Sequence, residues 1–110
     1  MLKLDIDSKD GLFDCLQRIQ MWNETSYPLT FVKVVESNKG WHVYLKSDGF
    51  FTENMKPFIQ VLLGSDWKRE MLNIGRVEKR VKKWNILFIS NEHGKDYSGL
   101  YNELLDVKVL

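Results

Sequence analysis

The sequence is short of the residues that mark specialised classes of protein. It has one cysteine, Cys15, in 110 residues. A single thiol excludes an internal disulfide and fits a reducing compartment. With only two distant histidines, His42 and His93, beside it, a structural zinc site is also excluded. No apolar run approaches the length of a membrane span, and the N-terminus lacks the basic-then-apolar layout of a signal peptide. A cytoplasmic protein without membrane contact is therefore expected. Glycine is scattered. Gly94 and Gly99 have the spacing of a phosphate-binding loop, but Leu100 stands where the lysine is required. No serine sits in a nucleophile elbow. Internal repeats and low-complexity segments are missing too.

What remains is the composition of an ordinary globular domain, 44% hydrophobic and 28% charged. Residues 1–110 are read as one domain, long enough for a core without staples. The formal net charge of +1 conceals an asymmetry. Between residues 68 and 83, seven basic side chains (Lys68, Arg69, Arg76, Lys79, Arg80, Lys82 and Lys83) face only Glu70 and Glu78. Such a block is a contact surface for polyanions or a solvated helix end.

Residues 2–7 alternate apolar and polar and read as a strand. Ser8 caps a helix whose stripe of Leu12, Cys15, Leu16, Ile19 and Trp22 runs to about Glu24. Cys15 lies on that stripe and reads as buried filler. Leu29–Glu36 and Trp41–Lys46 form a hairpin around Ser37-Asn38-Lys39-Gly40, with Gly40 available for positive φ. A helix from about Glu53 to Leu63 stops at Gly64, with Pro57 tolerated only near its start. Ser65-Asp66 caps another helix through about Ile74. Trp84–Ser90 reads as a buried strand, Asn91–Asp96 as loop, Ser98–Leu105 as a short helix and Val107–Leu110 as an edge strand. The order is β-α-β-β-α-β with a short C-terminal extension. The expected fold is an α+β, ferredoxin-like or RRM-like sandwich with strands one and three adjacent and antiparallel.

That arrangement brings two motifs together. Asp5 and Asp7, one residue apart on a strand, point to the same face. If Trp41, Val43 and Leu45 face the helices, His42 and Tyr44 share the carboxylates' face. Paired carboxylates suit a divalent cation, and a nearby histidine suits a phosphate or a ligand role. The blander use of Asp7 and Ser8 is to lead into the helix cap.

Asp5-x-Asp7 followed by Ser37-x-x-Gly40-x-His42 on this strand order resembles the archaeo-eukaryotic primases and primase-polymerases. The resemblance spans about residues 2–46. It implies metal-dependent nucleotidyl transfer, with Asp5 and Asp7 holding Mg²⁺ or Mn²⁺ and Ser37, Lys39 and His42 contacting a nucleotide triphosphate. It also implies a third acid late in the chain, for which Glu92 and Asp66 are the candidates. Replication of a small genetic element, viral or plasmid, is the expected setting, with a single-stranded template tracked by the basic block. The chain is shorter than a complete primase of that type, so a degenerate relative fits as well.

Two alternatives stand beside it. A non-catalytic, single-stranded nucleic-acid-binding domain would use Tyr44 and Trp67 as stacking platforms. A likeness to rolling-circle initiators rests on Tyr97-x-x-x-Tyr101, but His42-Val43-Tyr44 supplies one imidazole where that class uses two.

Overall fold

The computed structural model describes residues 1–87 and 92–96, the last four by backbone alone. Its elements are β1 (Leu2–Ile6), α1 (Lys9–Trp22), β2 (Thr30–Ser37), β3 (Trp41–Lys46), α2 (Lys56–Leu62), α3 (Trp67–Glu78) and β4 (Glu92–Asp96). The class is α+β, as expected. The strands form one antiparallel sheet in the order β1-β3-β2-β4. No described helix is long and apolar enough to cross a membrane.

Local signals account for most of the elements. Ser8 caps α1 by accepting a hydrogen bond from Gly11 N–H at 3.0 Å. Pro57 sits in the first turn of α2, where its missing N–H costs nothing. Gly64, at φ +104°, ends α2, a left-handed conformation that glycine adopts without a Cβ penalty. Asp66 caps α3 through Lys68 N–H. That helix runs to Glu78, one turn beyond the expected end.

The period-2 alternation of β1 sends Leu2, Leu4 and Ile6 to one face. Opposite them on β3 stand Leu45, Val43 and Trp41, and β2 adds Val34. Leu12, Cys15, Leu16 and Ile19 of α1, with Ile59 of α2 and Leu63, close over them as one core. Each fully buried leucine contributes about 1.5–3 kcal/mol. Cys15 is filler here, its thiol pKa pushed up to about 12, chiefly by burial.

The outer edge of β1 decides the topology. Lys3 and Asp5 turn their backbone groups away from β3, and all four are taken. Gln60 Oε1 accepts from Lys3 N–H, and Ser65 Oγ accepts from Asp5 N–H, each at 3.0 Å. Arg69 Nη1 donates to Lys3 C=O at 2.9 Å, and Asp66 N–H donates to Asp5 C=O at 2.8 Å. A strand edge capped in this way offers no ladder to another strand.

Two expectations change as a result. Trp84–Leu87 flanks β1 but is not a strand. Asn85 bonds to Met1 C=O, Gln60 and Arg69, and Arg69 also donates to Ile86 C=O. The final described strand is instead Glu92–Asp96, a charged stretch read above as loop, which pairs with the free edge of β2. Backbone pairing at an open edge outweighs the weak strand propensity of its glycine and acids. The ferredoxin-like order would put the last strand beside β1, and the described residues do not have it there. Residues 88–90 of the expected strand, the expected C-terminal helix and edge strand, and Tyr97 and Tyr101 lie outside the described residues.

Candidate metal and phosphate site

The second sheet face carries the polar residues. Asp5 lies opposite His42, and Lys3 lies opposite Tyr44. Asp7 follows the end of β1. The backbone bond from Asp66 to Asp5 draws the start of α3 to the same place. Carboxylate oxygens of Asp5, Asp7 and Asp66 come within 4.8 Å of one another. Asp66 is thus the acid that stands with the Asp-x-Asp pair. Glu92 is not in that group; it lies behind His42.

Three like charges so close raise their own cost. Burial, and the charges of Asp7 and Asp66, raise the Asp5 pKa, with His42 and Arg69 opposing. His42 is only 4% exposed. Its Nε2 faces Asp5 Oδ1 and its Nδ1 faces Glu92 Oε1, both at 3.9 Å. Those gaps exceed hydrogen-bond length, and Nδ1 has no hydrogen-bond partner among the described residues. Burial pulls the His42 pKa down against the pull of both carboxylates. Tyr44 is buried, donates its hydroxyl to Glu92 at 3.0 Å, and carries Lys33 over its ring. Burial and that bond push its pKa up. Its ring is not offered as an open stacking surface.

A cavity of about 840 Å³ gathers the site. The carboxylates and His42 line one side, Ser37 and Lys39 come from the hairpin, and Lys68, Arg69, Leu72 and Arg76 come from α3. Ile86 and Leu87 add an apolar wall. The basic block is therefore not one surface. Lys68 and Arg76 face this cavity, and Lys82 and Lys83 line a second one. Lys79 is the C-cap of α3, and Arg80 follows it in a left-handed conformation at φ 58°. Arg69 is an internal residue. Its guanidinium bonds to Lys3 C=O, Glu70, Asn85 and Ile86 C=O, which leaves only Nε unpartnered among the described residues. Trp67 is 62% exposed with Lys68 over its ring.

Gly40 has a different purpose from the expected one. It is not among the positive-φ glycines. A Cβ there would lie 1.9 Å from the carbonyl oxygen of Ile6 and 3.0 Å from Asp7 Cα. The missing side chain lets the hairpin turn press against the end of β1, which sets Lys39 and Ser37 beside Asp7. Gly40→Ala must displace backbone and is expected to cost about 2–3 kcal/mol, at the upper end for an overpacked site. Gly75→Ala, on open helix surface, meets nothing within 4 Å and should stabilise by up to about 1 kcal/mol. Urea denaturation of the two variants checks both signs. Equal effects would refute the close-approach role of Gly40.

Sequence reasoning placed Asp5, Asp7, Ser37, Lys39 and His42 together and named Asp66 as a candidate. It missed Leu72, Ile86 and Leu87, whose exposure to a cavity has no local signature. It also missed the pairing of Glu92 with Tyr44 behind His42. No family model matches this chain, and the comparisons with curated proteins and with solved structures also give no match.

Proposed function

We propose that this chain acts on nucleic acid by primase-like, metal-dependent nucleotidyl transfer, or descends from a domain that did, on a variant of the RRM-like sandwich. One observation carries the reading. Asp5, Asp7 and Asp66 converge in a cavity that Lys39, Lys68 and Arg76 also line. Three hard oxygen donors fit Mg²⁺ or Mn²⁺ better than a soft metal. Such an ion would neutralise the carboxylates that now raise the Asp5 pKa and would polarise phosphoryl oxygens. Lys39 and Arg76 would hold a triphosphate as point charge and fork, respectively. Leu72, Ile86 and Leu87 offer an apolar wall for a base. His42, between Asp5 and Glu92, would contact the phosphates.

A non-catalytic, single-strand-binding role is the second reading, favoured by exposed Trp67 beside Lys68. Mn²⁺ titration followed by thermal melting separates the two. Binding to the folded state alone should stabilise by about 2.7 kcal/mol at a hundredfold excess over Kd. Asp5→Ala with Asp7→Ala should remove that gain. Primer extension or initiation on a single-stranded template with Mn²⁺ and nucleotides should then be detectable and should fall in His42→Ala. Strand binding without any metal response would leave the second reading in place.

A further inference from the structure

A second cavity of about 450 Å³ shares Ile86 and Leu87 with the first. Its walls include Lys3, Lys56, Lys82 and Lys83 against one carboxylate, Glu53. That carboxylate is already engaged, by Lys56 Nζ at 2.6 Å and by Trp84 Nε1 at 2.7 Å. Among the described residues, Lys3, Lys82 and Lys83 have no ion pair. The cavity is therefore a concentration of positive charge that its own walls leave uncompensated.

The backbone puts the two lysines there at a cost. Arg80 N–H bonds to Val77 C=O and Val81 N–H bonds to Arg76 C=O, a tight helix stop that glycine usually makes. Arg80 makes it instead, in the left-handed region that costs a non-glycine residue on the order of 1 kcal/mol. The stop ends α3 sharply and returns residues 82 and 83 towards Lys3.

We propose that this second cavity binds a backbone phosphate of the same single strand of nucleic acid that enters the carboxylate cavity, so that the strand passes over Ile86, which lines both. The inference rests on the nucleic-acid reading of the first cavity but not on its catalysis. A small anion would occupy only one of the two cavities. A chain of regularly spaced phosphates reaches both at once, and the exposed side chain of Ile86 suits the bases and sugars.

The test is fluorescence anisotropy of oligothymidylates of increasing length at several salt concentrations. The parent protein should gain affinity stepwise once the oligonucleotide spans both cavities. Lys3→Gln with Lys82→Gln and Lys83→Gln should abolish that step, weaken long oligonucleotides about tenfold or more, and flatten the log-log salt slope by about 2, for three contacts at roughly 0.7 each. Lys82→Gln with Lys83→Gln alone should flatten it by about 1.4, which keeps the test available if the triple variant folds poorly. Mn²⁺ affinity should not change in either. Unchanged slope and affinity would overturn the proposal. So would full competition by inorganic phosphate with no dependence on length, the behaviour of a small-anion pocket. Loss of the Mn²⁺ response in the parent, with the length step intact, would overturn catalysis but not this strand path.

Discussion

Glu70→Ala should destabilise the protein by about 3–5 kcal/mol, the cost of breaking a buried ion pair from one side. Glu70 is fully buried, and its carboxylate accepts from four groups. They are Gln60 Nε2 and Ser65 Oγ, each at 2.6 Å, Asn73 Nδ2 at 2.9 Å, and Arg69 Nη1. Three of those donors, Gln60, Ser65 and Arg69, also cap β1, so Glu70 fixes the direction in which they point. Removing it takes the ion-pair partner from Arg69 and leaves the donors of Gln60, Ser65 and Asn73 without their acceptor. For a chain of this size the melting temperature should fall by on the order of 15 °C or more. Glu78→Gln, exposed on the same helix, should change it little. A melting temperature for Glu70→Ala within a few degrees of the parent would refute the role of this network in holding α3 to β1.

Asp5→Asn should have effects of opposite sign on stability and on function. The pKa of Asp5 is raised in the folded chain, so its ionised form is the less stable one there. Its contribution to stability is present below the ordinary carboxylate pKa and is lost as pH rises through the raised value. Without metal at pH 7, Asp5→Asn should therefore melt a few degrees higher than the parent. Its stability should also fall less across the window just above the ordinary carboxylate range. The same change should remove the Mn²⁺-induced shift and, if the chain is catalytic, lower the rate about 10²–10³-fold. Melting curves with and without Mn²⁺ from pH 4 to 7 check the stability effects. A variant less stable than the parent in the absence of metal would contradict the crowding of Asp5, Asp7 and Asp66.

The strands and helices with clear periodicity were legible from sequence. The alternation in β1 and β3 put Asp5 and His42 on one face, and the adjacency of those strands was expected from the connection rules of the β-α-β-β order. The stops at Gly64 and the caps at Ser8 and Asp66 were equally readable, because each acts through neighbours in the chain. Glu70, Asn73 and Gln60 gave no such signal. They look like ordinary helix-surface residues until another segment buries them.

Alternation, turn chemistry and capping are local, and through them, with the connection rules of a β-α-β-β order, the sequence by itself determined the α+β class, the β1–β3 pairing and the Asp5, Asp7 and His42 side of the site. The tertiary structure alone decided that Asp66 joins them, that Arg69 is internal, that Glu92–Asp96 pairs with β2, and that the basic block divides between two cavities. Those outcomes depend on polar side chains satisfying backbone groups far away in sequence, Gln60 on Lys3 across 57 positions and Arg69 on Lys3 across 66. A buried polar group must find a partner wherever the fold offers one, and no local pattern encodes which partner that will be.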